Sequence, residues 1–155
     1  MSISSSSSSS LEFPERKVTF TAQFENLDRV REFVGDAAVQ CRLSPSAVYA
    51  VQLAVDEAFT NIVEHAYDGE CLEKIECICL LAQDGLTITL RDCGKPFNPL
   101  EVPEPDLCAD LEDREVGGLG LYFIRQLMDE VRFTFKYEPE IGKHCNVLTL
   151  VKHKE

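Results

Sequence analysis

The 155-residue sequence has no apolar run that comes near the roughly 18–20 residues needed to span a bilayer, so we expect no transmembrane helix and no membrane partner. Residues 1–10 are mostly serine and lack both the basic stretch and the apolar stretch of a secretory signal. A serine tract cannot build a packed core. We therefore predict a disordered tail at residues 1–14 and one domain at residues 15–155.

Basic residues are few. The chain has 15 lysines and arginines against 27 aspartates and glutamates, which gives a net charge of −12, and no basic cluster stands out. Nucleic acid and anionic lipid would repel such a protein, so neither is an expected partner. Acidity does not exclude a nucleotide ligand, because backbone N–H groups and a metal ion can hold phosphates.

No cysteine or histidine spacing matches a zinc site. The seven cysteines are an odd number and are scattered through apolar segments. They are best interpreted as reduced, buried thiols in a reducing compartment, which predicts a cytoplasmic location. Cys93 differs from the others because it lies inside a candidate motif.

Hydrophobic periodicity predicts the element order β-α-α-β-β-loop-α-β-β. Strands are expected at residues 17–24, 73–82, 86–91, 131–137 and 145–152, and helices at 27–41, 44–67 and 117–130. In the first strand, Val18, Phe20, Ala22 and Phe24 would share the buried face. The strands cluster in hairpins. This favours an α+β fold: a two-layer sandwich with a mixed, mostly antiparallel sheet and helices on one face.

The second predicted helix carries the first candidate motif. Its start is marked by Ser44 as N-cap and Pro45 at the first helical position. Glu57, Asn61 and His65 are spaced four apart and would lie along one face. A carboxylate there can accept a proton, and an amide oxygen suits Mg²⁺. Taken alone, a solvated polar face explains this row better.

Two further segments follow. Asp92 and Gly94 end a predicted strand, where a carboxylate can accept a hydrogen bond from an adenine amine and a glycine allows close approach to a flat ring. An ordinary turn is the alternative. A glycine cluster at residues 117–121 opens the third predicted helix and forms a candidate anion site. It lacks the Lys-Ser/Thr of a P-loop, and a plain helix start or hinge is the alternative.

In this order and spacing, the three segments resemble the N, G1 and G2 boxes of the Bergerat-fold (GHKL) ATPases. The matching residues are Glu57 and Asn61 in the N box, Asp92 and Gly94 in the G1 box, and Gly118 and Gly120 in the G2 box. The motifs Asp-x-Gly-x-Pro-Phe and Gly-Gly-Leu-Gly-Leu in so short a chain are similar to those of the small bacterial anti-sigma factor serine/threonine kinases.

The resemblance implies a Bergerat ATP-binding fold with ATP and Mg²⁺ as cofactors. It assigns the general base to Glu57 and the Mg²⁺ ligand to Asn61, and it makes residues 98–116 an ATP lid in which Arg114 is a weak candidate for a phosphate contact. His65 would contact phosphate or cap its helix, with neither favoured. The other implied ATP contacts are Asp92, Gly94, Pro96, Phe97, Gly117, Gly118, Leu119, Gly120 and Leu121.

The resemblance also implies partners. A kinase of this type binds a sigma factor and phosphorylates a serine on a STAS-domain anti-anti-sigma antagonist. The alternative is an ATP-dependent binding switch that transfers no phosphate, because both need the same pocket. A homodimer through the apolar stripe of the first helix is open, and core packing explains that stripe equally well.

Overall fold

The computed structural model describes residues 14–99 and 124–155. Elements follow the predicted order along these residues. They are β1 (Glu15–Thr21), a 3₁₀ turn (Phe24–Asn26), α1 (Leu27–Gln40), α2 (Pro45–Asn61), a π-helical turn (Ile62–Ala66), β2 (Lys74–Ala82), β3 (Gly85–Asp92), β4 (Glu130–Glu138) and β5 (Lys143–His153).

The described strands form one sheet in the order β1-β2-β3-β5-β4, and every pairing is antiparallel. The helices cover one face of this sheet, so the predicted two-layer α+β sandwich is confirmed. The order places β3 and β5 side by side in the centre, although 50 residues separate Asp92 from Lys143 in the chain. Their ends form one wall of the site described below.

The core lies between the helices and the covered face of the sheet. Alternation along β2 and β3 places every second side chain there, including Cys77 and Cys79, which are both fully buried. The apolar stripe of α1 enters the same core through Val30 and Val34. Packing within the chain therefore accounts for this stripe, and the stripe gives no support for a homodimer.

The start of α2 is as predicted. Pro45 is its first residue, and the Ser44 hydroxyl accepts a hydrogen bond of 3.2 Å from the Ala47 N–H. The predicted α-helix to residue 67 is wrong in its last turn, where residues Ile62–Ala66 are π-helical and the Tyr67 N–H donates to Ile62 O at 3.1 Å. The extra residue in this turn ends the regular spacing of four that was expected to align His65 with Asn61.

The first strand is shorter than predicted. It ends at Thr21, because the Asn26 side-chain amide donates to Thr21 O at 2.9 Å and the chain turns into the 3₁₀ segment. Phe24 therefore leaves the predicted buried face and is 37% exposed, while Phe20 and Ala22 are buried as expected. Val18 is also more exposed than the alternation predicts, at 36%.

The third predicted helix also ends earlier than residue 130. Residues 124–127 are helical, and β4 already begins at Glu130. Asp129 ties the chain to β5 just before β4 begins. Its N–H donates to Val151 O at 2.9 Å, and its carboxylate accepts from the His153 N–H at 2.6 Å. No helix in the described ranges is long and apolar enough to cross a membrane.

Candidate functional site

A small cavity lies between the end of α2, the π-helical turn, the end of β3 and the inner faces of β4 and β5. It brings Asn61 together with Asp92 and Phe97, which lie 31 and 36 residues further along the chain. The remaining lining residues are mostly apolar: Ala58, Ile62, Ala66, Pro99, Phe133, Asn146 and Leu148. An apolar pocket with a few convergent polar groups is the usual form of a small-molecule site.

Asp92, the last residue of β3, supplies a buried carboxylate to this cavity. It is 3% exposed. Its Oδ1 accepts 2.9 Å hydrogen bonds from the Gly94 N–H and the Asn146 amide. Burial raises the pKa of Asp92, and the two hydrogen bonds partly offset the rise. Since both bonds end on Oδ1, Oδ2 keeps its acceptor capacity for a ligand.

Asn146 of β5 holds the loop after β3 in place, and the sequence analysis missed it. Its amide nitrogen donates to Asp92 Oδ1 and to Lys95 O, both at 2.9 Å, and its amide oxygen accepts from the Phe97 N–H at 3.1 Å. Asn146 is also the cross-strand neighbour of Asp92. The sequence feature that could have revealed Asn146 is that it is a polar residue on the side of β5 that carries Leu148 and Leu150.

Asn61 lies on the opposite wall, at the end of α2, and is 3% exposed. Among the described residues, its Nδ2 is a buried side-chain atom without a hydrogen-bond partner. A buried polar group left unsatisfied costs about 1–3 kcal/mol, so this amide is placed to bind a ligand. Its oxygen is a hard neutral donor of the kind Mg²⁺ accepts, so the residue fits the implied metal.

Glu57 is half-buried on α2, one turn before Asn61. Burial raises the pKa of Glu57 above its ordinary value of 4.5, and the negative charges of Asp56 and Glu64 add to the rise. Asp56 itself points to α1, where its carboxylate pairs with Arg31 at 3.2 Å. A carboxyl with a raised pKa binds a proton more readily than an exposed one, which suits a general base.

His65 is brought to the cavity indirectly. Its ring stacks on Phe97, with centroids 4.9 Å apart and planes 17° from parallel, and Phe97 lines the cavity. Pro96 is exposed beside it. Lys95 is exposed as well and pairs with Asp68 at 2.7 Å. Direct contacts of His65 and Pro96 with a nucleotide stay predictions.

Gly94 makes a close contact within the chain that the sequence does not suggest, and its predicted approach to a ligand ring stays a prediction. A Cβ at this position would lie 2.5 Å from Ala66 O and 2.8 Å from Ala66 C. The next residue, Lys95, donates its N–H to the same Ala66 O at 2.9 Å. The absent side chain therefore lets the loop after Asp92 pack on the backbone of the π-helical turn, which fixes the two walls of the cavity against each other.

We expect Gly94→Ala to lower the free energy of unfolding by about 1–3 kcal/mol, because backbone atoms cannot yield to the added methyl group. Gly35→Ala is the matched control. There a Cβ meets the end of the flexible Gln52 side chain, and alanine is the better helix former, so a change within about 1 kcal/mol is expected. Urea unfolding of both variants measures the difference. Equal effects would contradict the role given to Gly94.

Several predicted site residues lie outside the described residues. These are the glycine-rich helix start (Gly117, Gly118, Leu119, Gly120 and Leu121), Arg114, and all of the predicted lid except Asn98 and Pro99. The same holds for residues 1–13 of the predicted tail. The assignment of phosphate contacts to these glycines therefore stays a prediction.

Comparison with known proteins gives concordant results. The chain is 34% identical over 102 residues to the serine-protein kinase RsbW of Listeria monocytogenes serovar 1/2a, which covers 63% of this chain and 65% of that protein. It is 27% identical over 139 residues to the anti-sigma F factor of Bacillus velezensis, which covers 90% and 92%. The match thus spans slightly less than two thirds of the RsbW relative.

A solved structure containing the RsbU and RsbW domains of a Mycobacterium tuberculosis protein shares the fold. Its TM-score is 0.57 at 18% identity, over 92% of this chain and 33% of that one. The family model of the histidine kinase-like ATPase domain matches residues 20–152. This match includes α1 and α2, the last two residues of β1, all of β2, β3 and β4, β5 except its last residue, and every residue that lines the cavity. The chain belongs to the histidine kinase-like ATPase domain family.

Proposed function

We propose that this protein is an anti-sigma-type serine kinase that binds ATP with Mg²⁺ and phosphorylates a STAS-domain anti-anti-sigma antagonist. The names of its relatives support this proposal, since they include a serine-protein kinase and an anti-sigma factor. The family supports the use of ATP. The observation that carries the proposal is the cavity in which Asp92 and Asn61 meet as buried polar groups on opposite walls.

The adenine ring would enter this cavity with its exocyclic amine toward Asp92. Oδ1 is already bonded to Gly94 and Asn146, so the amine would donate to Oδ2. The apolar walls, including Phe97 and Phe133, suit the faces of a purine ring. The phosphates would then extend toward Asn61, whose unpartnered amide would serve the phosphates and Mg²⁺.

Phosphoryl transfer itself would use Glu57. The hydroxyl oxygen of the target serine forms a bond to the γ-phosphorus, the bond from that phosphorus to the β,γ-bridging oxygen breaks, and ADP leaves. Glu57 accepts the hydroxyl proton. Mg²⁺, held by Asn61, would supply positive charge at the phosphates. The chain's own contribution is mainly to position these groups, as in other phosphoryl-transfer enzymes.

The proposed partners are proteins, and the proposed location is the cytoplasm. A sigma factor is the first partner, because a relative is named an anti-sigma factor, and the STAS-domain antagonist is the second. The net charge of −12 supports the absence of nucleic acid from this list.

Incubation with γ-labelled ATP, Mg²⁺ and candidate STAS-domain proteins from the same cell tests the proposal. We expect label on one serine of one candidate, and none when that serine is replaced with alanine. Binding of Mg·ATP is measured by calorimetry on the same preparation. A protein that binds Mg·ATP and labels no candidate would contradict the kinase and leave the binding switch. A protein that does not bind Mg·ATP would contradict both.

A further inference from the structure

Two cysteines face each other directly beside the proposed nucleotide site. In the antiparallel register of β3 and β5, the last pair is Asp92 with Asn146. Extending this register by one residue places Cys93 opposite Cys145. Residues opposite each other in an antiparallel pair have Cα atoms about 4.5–5.5 Å apart. Disulfides are formed between Cα atoms about 4.4–6.8 Å apart, so this position is compatible with a disulfide.

The two thiols are in contact, and they differ in exposure. Cys145 is fully buried, and its thiol donates a hydrogen bond of 3.7 Å to Lys143 O. Burial, and next the neighbouring Cys93 side chain, raise the pKa of Cys145 to about 12, so it stays a protonated thiol. Cys93 is half-buried and lines an open groove on the side of the sheet that the helices do not cover. A small oxidant would therefore reach Cys93 first.

The backbone links this pair to the nucleotide site. Cys93 lies between Asp92 and Gly94, and its N–H donates to the Tyr67 hydroxyl at 3.1 Å. Asn146, next to Cys145, is the residue that bonds Asp92. A change in the distance between the two sulfurs is thus transmitted through one peptide unit on each strand to the Asp92–Asn146 pair.

We propose that Cys93 and Cys145 form a peroxide-sensitive dithiol whose oxidation to a disulfide weakens ATP binding. Hydrogen peroxide oxidises the Cys93 thiol to a sulfenic acid as its O–O bond breaks, and one water is released. The Cys145 sulfur then attacks the Cys93 sulfur, the S–O bond breaks, and the thiol proton leaves with that oxygen as a second water. Two thiols lose two electrons in total, and one peroxide gains them.

The expected loss of ATP affinity follows from the limited space around the loop after β3. The two sulfurs must close to about 2.05 Å, which draws Cys93 toward β5. Gly94 cannot follow freely, because it already packs on the backbone of Ala66. The resulting displacement of the loop changes the position of Asp92. The formation of the disulfide is independent of ATP, whereas its effect on affinity rests on the proposed nucleotide site.

The test uses the full chain treated with graded hydrogen peroxide. Peptide mapping by mass spectrometry without reduction is expected to find a Cys93–Cys145 link at low peroxide. Calorimetry is expected to show at least about a tenfold loss of Mg·ATP affinity, which dithiothreitol restores. In Cys145→Ala the reversible loss should disappear, and Cys71→Ser, which removes a half-buried thiol elsewhere, should respond as the wild type does. If Cys145→Ala does not fold, Cys93→Ser replaces it.

Four results would overturn the proposal: oxidation of Cys93 without the link, a link from Cys93 to Cys108, an unchanged affinity in the linked protein, or a full response of Cys145→Ala. Cys108 lies outside the described residues. Failure of the reduced protein to bind Mg·ATP would count against the proposed function instead. Peptide mapping would still decide whether Cys93 and Cys145 form a disulfide.

Discussion

Replacing Asp92 with asparagine is expected to lower the affinity for Mg·ATP by about 100-fold, because hydrogen bonds to charged groups contribute about 1.5–3 kcal/mol. The change is confined to one atom. The asparagine oxygen can still accept from the Gly94 N–H and the Asn146 amide, so the loop after β3 keeps its contacts. In place of Oδ2 the variant presents an NH₂ donor, which opposes the amine of adenine. Calorimetric titration with Mg·ATP measures the loss.

The same substitution should not destabilise the protein at neutral pH. Burial raises the pKa of Asp92, so the charged form is disfavoured in the folded state. The associated cost in stability is present above the folded pKa and disappears as the pH falls below the ordinary value of 3.8. Asp92→Asn removes this cost. Its melting temperature at pH 7.5 should therefore equal or exceed that of the wild type, and the difference should shrink toward pH 3.5.

Asp84→Asn is the control, because Asp84 is exposed in the turn between β2 and β3 at the far end of the sheet from Asp92. It should alter neither the affinity nor the stability. If Asp92→Asn binds Mg·ATP within threefold of the wild type, the carboxylate does not contact the ligand. If it unfolds at a much lower temperature, the loss of binding would be explained by damage to the loop.

The parts of this fold that the sequence predicts are those set by local chemistry. The Ser44 N-cap and Pro45 fix the start of α2, and alternation in β2 places Cys77 and Cys79 in the core. The short gap between the predicted strands at 73–82 and 86–91 corresponds to the turn between β2 and β3. In each case a contact within a few residues, or a period of two, carries the information.

Other features depend on contacts between residues that are distant in the chain. Asn146 holds Asp92 and Phe97 from 54 and 49 residues away, and its local signal, one polar residue on the apolar side of β5, does not say which residues it contacts. The π-helical turn is stabilised by the loop that packs on Ala66, so periodicity within α2 predicts a continuous α-helix instead. The position of Phe24 is also mispredicted from local sequence. Apolar alternation continues past Thr21, but the hydrogen bond from the Asn26 side chain to Thr21 O ends the strand there.

Replacing Glu57 with glutamine is expected to reduce phosphoryl transfer to the antagonist by about 10²–10⁴-fold, which is the usual contribution of a general base. Binding of Mg·ATP should be nearly unchanged, because the proposed ligand contacts lie on Asp92 and Asn61. Glutamine keeps the size of the side chain and removes the proton acceptor. Single-turnover transfer from labelled ATP gives the rate, and calorimetry gives the affinity.

Asp56→Asn is the matched control. Asp56 is the adjacent acid on α2, but it is directed to Arg31, so its loss should change the transfer rate by less than about threefold. A tenfold or smaller effect of Glu57→Gln would contradict the role of Glu57 as the base. If regulation of the partner persists in Glu57→Gln while transfer is absent, the partner is regulated by ATP-dependent binding and not by phosphorylation.

The pH dependence of transfer gives an independent test of the same base. Burial and the charges of Asp56 and Glu64 raise the pKa of Glu57, so its protonation should slow transfer at a pH above 4.5, the ordinary value for glutamate. This acid limb should be absent in Glu57→Gln. The raised pKa also means that the charged form lowers stability above the folded pKa. Glu57→Gln should therefore melt no lower than the wild type at pH 7.5, which separates a lost base from a damaged fold.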